Sequence, residues 1–275
     1  MTILPAPSRA VPPPRLAALL VARLDSARLP GKALLDAGGR PLIAWALERL
    51  RRCPAFGDHH PIVLATTARP VDDPLADWAR SAEIGLWRDA GDPGDVAGRL
   101  VRAGEALGAA WVFRVNADSP LVDPGLLLEG VRTIEALHAR GEGDRFDLVT
   151  NLEPRLDPYG VAVEGVRVAG LRSVLDSALT GCSSAREARE HATQLLYAPE
   201  RGGRRKALGA PDRADLSRVR VTVDTPTDLS RFRAFLARSP GGSWLDRPAH
   251  ALALDPAWGE PDAHPAPARA HAPAA

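Results

Sequence analysis

Short, uninterrupted apolar runs alternate along this chain with longer stretches of helical spacing. Leu16–Val21 is wholly apolar and reads as a buried strand. Leu42, Ile43, Ala46, Leu47 and Leu50 then recur at the spacing of one helix face within residues 41–52. The alternation repeats. Strands are predicted over 61–66, 84–87, 110–115 and 146–150. Helices are predicted after Asp72-Asp73-Pro74 (a capping sequence with proline near the first turn) and over 96–107 and 124–139. Strand–helix units of this length imply an α/β fold whose mostly parallel sheet is covered on both faces.

The pattern then changes. Residues 161–168 alternate weakly, as an antiparallel or edge strand would, and helical stretches follow near 169–178 and 184–196. A strand over 218–223 and a helix over 226–236 close the pattern. The reading is one domain over 15–238 with a small inserted lobe at about 152–216. Residues 1–14 are expected to be a disordered arm, and the Pro/Ala/Gly-rich residues 239–275 a disordered tail. Trp244 and Trp258 stand in that tail, either docking it or exposed. His250, His264 and His271 are too irregularly spaced to suggest a metal tract.

Composition narrows the function. The chain of 275 residues carries a net charge of +1, which leaves no electrostatic footprint for nucleic acid or an anionic membrane surface. No apolar run approaches the roughly 20 residues that span a bilayer. Prolines interrupt the N-terminal residues where a secretory signal would be apolar. Cys53 and Cys182 are too few for a disulfide framework or a cysteine zinc site. The expectation is a cytoplasmic protein.

Chemistry concentrates where strands end. The first strand runs into Ala22-Arg23-Leu24-Asp25-Ser26-Ala27-Arg28-Leu29-Pro30-Gly31-Lys32, which places Arg23, Arg28 and Lys32 on one short connection. A polyphosphate would neutralise these cations, and loop N–H groups would add hydrogen bonds. The glycine spacing fits neither a Walker loop nor a dinucleotide fingerprint. On charge alone a solvated basic loop is the better reading, but open α/β sheets bind ligands at such strand ends, which moves the reading towards a site. Asp118 follows the strand over 110–115, where it suits a hard cation such as Mg²⁺ or a turn before Ser119-Pro120. Asp123 before Pro124 is explained by helix capping. Asp224 ends the strand over 218–223, and either it or Thr225 would cap the following helix. Together, Asp118 and Asp224 form a pair of strand-end carboxylates suited to one metal.

These residues resemble the cytidylyltransferases, a family that includes the acylneuraminate, 3-deoxy-manno-octulosonate and spore-coat polysaccharide types, the last being the nearest. The loop from Ala22 to Lys32 carries the resemblance. So do Ala65-Thr66-Thr67, Asp72-Asp73-Pro74, Asp95-Val96 with Arg99, and Arg114 with Asp118-Ser119-Pro120-Leu121-Val122-Asp123-Pro124. Thr150-Asn151, Glu190-His191 and Val223-Asp224-Thr225-Pro226 follow in order, so the likeness spans about residues 16–237. It implies a nucleotide-diphospho-sugar transferase fold and transfer of CMP from CTP to a sugar or sugar acid. Pyrophosphate would be released, in service of surface polysaccharide or glycoconjugate biosynthesis. Ala22, Arg23, Ser26, Arg28 and Lys32 would bind the nucleotide, and Asp118 and Asp224 would hold Mg²⁺. Arg23, Lys32 and Asp118 would bear on catalysis. Thr66 and Thr67 would lie near the base. Arg114, Glu190 and His191 would sit around the sugar or the metal, with Glu164 also on the substrate side. A homodimer is implied by analogy with relatives.

The chain departs from the family's pattern in four places. Asp25 replaces a usual Gly, Val21 a usual Gln, Ala162 a usual Asp and Ala117 a Gly. An Asp beside a triphosphate is unfavourable unless it points outward or pairs with Arg23 or Arg28. A related enzyme using another nucleotide, or a non-catalytic nucleotide-binding relative, are the competing readings. The acceptor sugar is not legible.

Overall fold

The structure is a computed structural model that describes residues 13–178, 189–190, 192–197, 203–209 and 214–258. Its strands are β1 Leu16–Val21, β2 Ile62–Thr67, β3 Gly85–Asp89, β4 Trp111–Asn116, β5 Leu148–Thr150, β6 Glu164–Arg167 and β7 Arg205–Ala207. The helices that matter here are α1 Leu42–Arg51, α2 Asp73–Ser81, α3 Val96–Ala106, α4 Pro124–Ala139 and α5 Val168–Ala178. The short α6 Gln194–Tyr197, α7 Pro226–Arg238 and the short α8 Ala249–Leu252 complete them. The strands form one seven-stranded sheet in the order β3-β2-β1-β4-β6-β5-β7. β6 runs antiparallel to both of its neighbours, and the remaining pairs are parallel.

Alternation along β1 divides the core in two. Leu16, Ala18 and Leu20 pack with α1, α2, α4 and α7 on one face, and Ala17 and Leu19 with α3 and α5 on the other. From β1 the chain passes outward through β2 and β3, and it then returns to β4 on the opposite side. This order reversal between β1 and β4 opens a crevice at their carboxyl ends, where open sheets take ligands.

Several expectations change. The weakly alternating 161–168 segment yields an antiparallel strand, β6, but it lies inside the sheet between β4 and β5. Residues 218–223 do not form a ladder strand. Val221 donates to Tyr159 and Val223 to Asp118, so the segment's backbone is satisfied by loops. β7 was not expected, because Arg205-Lys206-Ala207 has no apolar signature; such charge suits an edge strand. Of the helix expected over 184–196, residues 184–188 and His191 lie outside the described residues, and α6 covers its end.

Residues 239–258 are not a disordered tail. Trp244 and Trp258 are buried against Trp45, Phe232 and Phe235, with Trp244 and Trp258 ring centroids 5.2 and 5.3 Å from that of Phe235. Arg49 of α1 anchors the segment by donating to the carbonyls of Trp244 (3.1 Å), Leu245 (2.9 Å) and Arg247 (3.0 Å). Asp123 caps α4 as expected, and its second oxygen accepts from the N–H of Ala249 at 2.6 Å. The Pro, Gly and Ala content hid a sparse set of large apolar anchors. Residues 259–275, with His264 and His271, lie outside the described residues. Among the described residues no helix is long and apolar enough to cross a membrane.

Candidate functional site

The loop after β1 folds back on itself. Gly31 donates to the carbonyl of Leu24 at 2.8 Å and adopts φ 70°, a left-handed conformation that a side chain would strain. The short turn that follows carries Lys32. The loop is also held from the neighbouring strand. Asp72 does not cap α2 with its side chain; its buried carboxylate instead accepts from the N–H of Leu24 at 2.8 Å and from the Thr67 hydroxyl.

Two carboxylates meet this loop. The N–H of Val223 donates to the carbonyl of Asp118 at 2.9 Å, which brings the end of β4 beside the segment leading into α7. Thr225 caps α7 in a reciprocal capping box with Asp228, so the Asp224 side chain is not consumed by the helix. Lys32 Nζ lies 2.6 Å from Asp118 Oδ2 and 2.7 Å from Asp224 Oδ1. Arg28 reaches Asp224 Oδ1 at 3.0 Å, and Arg220 pairs with the other oxygen. Burial pulls the Lys32 ammonium down, but the charges of Asp118 and Asp224 outweigh it and hold its pKa above the ordinary lysine value. Burial alone would raise Asp224; Lys32, Arg28 and Arg220 hold it below the ordinary carboxylate value.

A cavity of about 340 Å³ opens here. Ala22, Arg23, Ser26, Arg28, Lys32, Arg114, Asp118, Glu190 and Asp224 are among the residues that line it. Arg23 pairs with Glu190 at 3.0 Å. Arg114 is held by Glu164 at 3.1 Å. Glu164 itself is buried outside the lining, accepting from Thr193 (2.7 Å) and Tyr197 (3.1 Å). Burial, then the Glu164 charge, push the Tyr197 phenol well above its ordinary pKa. Thr66 and Thr67 are also buried and do not line the cavity: Thr67 serves Asp72 and Arg69, since the β2 end is tied into the loop's support. His191 lies outside the described residues.

Asp25, the departure of greatest concern for a triphosphate site, does not line the cavity. It bonds Arg69 at 2.7 Å and lies 3.4 Å from Arg23. The Arg69 hydrogen bond, against some burial, lowers its pKa. Arg99 is a lining residue that the sequence placed in a motif but gave no role. Its position just past the Asp95 cap, in the first turn of α3, was the available signal.

Among the described residues, no group of three or more His, Cys, Asp or Glu converges as a metal-holding cluster. Asp118 and Asp224 do converge on one cation, the Lys32 ammonium. Two hard carboxylates, with phosphate oxygens and water making up the rest, fit the coordination that Mg²⁺ favours.

The family model for cytidylyltransferases matches residues 17–179. The chain is 27% identical over 222 residues to the spore coat polysaccharide biosynthesis protein SpsF of Bacillus subtilis, covering 80% of this chain and 86% of that relative. It is 32% identical over 248 residues to a 3-deoxy-manno-octulosonate cytidylyltransferase of Azorhizobium caulinodans, covering 80% and 94%. The solved structure of a cytidylyltransferase from Leptospira borgpetersenii shares the fold with a TM-score of 0.71 at 23% identity, over 86% of this chain and 92% of the other. By sequence and by fold, this chain belongs to the cytidylyltransferase family.

Proposed function

We propose that this protein transfers CMP from CTP to a hydroxyl of a sugar or sugar acid and releases pyrophosphate, with Mg²⁺ held by Asp118 and Asp224. The observation that carries this reading is the convergence of Lys32, Asp118 and Asp224 at the mouth of a basic loop, at the sheet's switch point. The names of the relatives, a polysaccharide biosynthesis protein and a sugar-acid cytidylyltransferase, favour the same acceptor class.

In this reading Arg23, Arg28 and Lys32 bind the triphosphate. Each already sits on a carboxylate and exchanges that partner for a phosphate oxygen as the nucleotide enters. Bound Mg²⁺ would neutralise charge on the phosphate oxygens. The acceptor oxygen bonds the α-phosphorus, the bond from that phosphorus to the bridging oxygen breaks, and pyrophosphate leaves with the electron pair. The hydroxyl proton passes to solvent water. Charge grows on the leaving oxygens, and guanidinium and ammonium groups fixed beside them stabilise it. Arg114, held in place by Glu164, faces the acceptor side.

The test is pyrophosphate release from CTP, UTP, GTP and ATP with Mg²⁺ and a panel of neutral sugars and sugar acids. The expected result is release with CTP and one acceptor class, abolished in Asp118→Ala. Failure to bind CTP, or tighter binding of another nucleotide, would reject the assignment.

A further inference from the structure

Arg99 is 1% exposed, yet it lines the cleft. Its Nη2 donates to the carbonyl of Pro93 at 2.9 Å, while its Nε has no hydrogen-bond partner among the described residues. Asp89 Oδ2 stands 3.6 Å from that Nε, beyond hydrogen-bonding range. Asp89 is already engaged, since its two oxygens accept from Arg102 at 2.8 and 2.7 Å. Burial pushes the Arg99 guanidinium below the ordinary arginine pKa; Asp89 pulls it back up and the Arg23 charge lowers it again. A buried cation this poorly compensated is unfavourable by itself.

Arg23 supplies the second half of the argument. Its Nη1 donates to the same Pro93 carbonyl at 3.3 Å, so two guanidinium groups meet at one neutral oxygen. They come from different elements, the loop after β1 and the first turn of α3. Two like charges gathered there repel, and an anion with several acceptor oxygens would satisfy both.

We propose that Arg99 is a phosphate-binding residue of this cleft, gripping one phosphate group of the nucleotide together with Arg23. The inference rests on the cleft being the nucleotide site, but it can be tested without the base. Inorganic tripolyphosphate is the probe, titrated calorimetrically into the whole protein and compared with CTP. Arg99→Met should weaken tripolyphosphate binding at least tenfold. The same variant should leave the melting temperature of the ligand-free protein unchanged or higher, because Asp89 keeps Arg102 and a poorly compensated buried charge is gone. Arg99→Lys keeps the charge but loses the planar fork, so its affinity should fall between those two proteins. The double variant with Arg23→Met should lose less than the product of the single losses, since both grip one group.

Absence of tripolyphosphate binding by the unaltered protein would overturn the proposal. So would binding by Arg99→Met within twofold of the unaltered protein, or a lowered melting temperature or failed folding in both variants. Tripolyphosphate binding that depends on Arg99, with no preference for CTP, would keep this proposal and reject the cytidylyl reading.

Discussion

Arg49 and Arg99 are both fully buried, on helices that cover opposite faces of the sheet, yet their surroundings differ. Arg49 spends its guanidinium on four backbone carbonyls, those of Val122, Trp244, Leu245 and Arg247, and lies 5.7 Å over the Trp244 ring. Burial lowers its pKa to about 10, which still leaves it charged at neutral pH. Arg99 has one carbonyl, shared with Arg23, and an Nε with no hydrogen-bond partner among the described residues, Asp89 standing 3.6 Å away. A cation satisfied by fixed dipoles has nothing to offer a ligand. A cation left short of acceptors does. The same contrast separates the regions around them. Beside the aromatic cluster, the buried cation is met by backbone carbonyls of residues 239–258, whereas the cleft neutralises its cations with carboxylate side chains.

The largest expected effect that sharpens this contrast is in the cleft. Asp118→Ala should lower turnover by about a thousandfold or more, on the order of 4 kcal/mol of transition-state stabilisation, as measured by pyrophosphate release. The ligand-free melting temperature should move little, because Lys32 retains Asp224. Unimpaired turnover would remove Asp118 from the site.

Arg49→Met should behave in the opposite way. It strips donors from four carbonyls at once, and a loss of about 3–4 kcal/mol is expected, or a melting temperature about 10 °C lower. CTP affinity of the folded fraction should be unchanged. A stability loss under about 1 kcal/mol would show that the C-terminal segment does not depend on this anchor.

The comparison also explains what was legible in the sequence. Lys32, Asp118 and Asp224 could be singled out because each follows an apolar run, Asp118 and Asp224 closely and Lys32 at the far end of the loop, and hydrophobic patterning marks such runs well. The pattern left Asp224 and Thr225 as rival caps; the reciprocal Thr225–Asp228 bonds settle the matter through a residue three positions into the helix. Arg49 was not legible, since one arginine in an amphipathic helix looks solvated until a segment almost 200 residues away supplies its acceptors. Asp72 misled for a related reason. Its sequence is that of a cap, and tertiary contacts with Leu24 and Thr67 took the carboxylate instead. Local pattern locates elements and their ends, while the partner of a buried charge is decided by residues far along the chain.

A smaller effect should follow from Asp25→Gly, which removes the carboxylate from the loop after β1. The ion pair with Arg69 is about one-third exposed on each side, so its contribution falls within about 1 kcal/mol. Loss of a carboxylate 3.4 Å from Arg23 should tighten tripolyphosphate and CTP binding, by less than tenfold. Weaker binding in this variant would mean that Asp25 orders the loop more than it competes with the ligand.

The smallest expected effect is in the acid limb of stability. Asp224 has a folded pKa below its ordinary value, so its ionised form stabilises the folded chain above the unfolded carboxylate pKa of about 3.9. That contribution is lost as pH falls from there through the lower folded value. In Asp224→Asn the ligand-free stability profile should therefore be flatter over this acidic window and parallel to that of the unaltered protein above about pH 5. Arg49 is charged throughout the window and hydrogen-bonds carbonyls, with the Asp123 and Asp246 carboxylates acting on it only through space, so Arg49→Met should chiefly shift the whole profile down and change its slope there less than Asp224→Asn does. Equal slopes in all three proteins would break the distinction, because they would show that the cleft's ion pairs are no more pH-sensitive than the dipoles around Arg49.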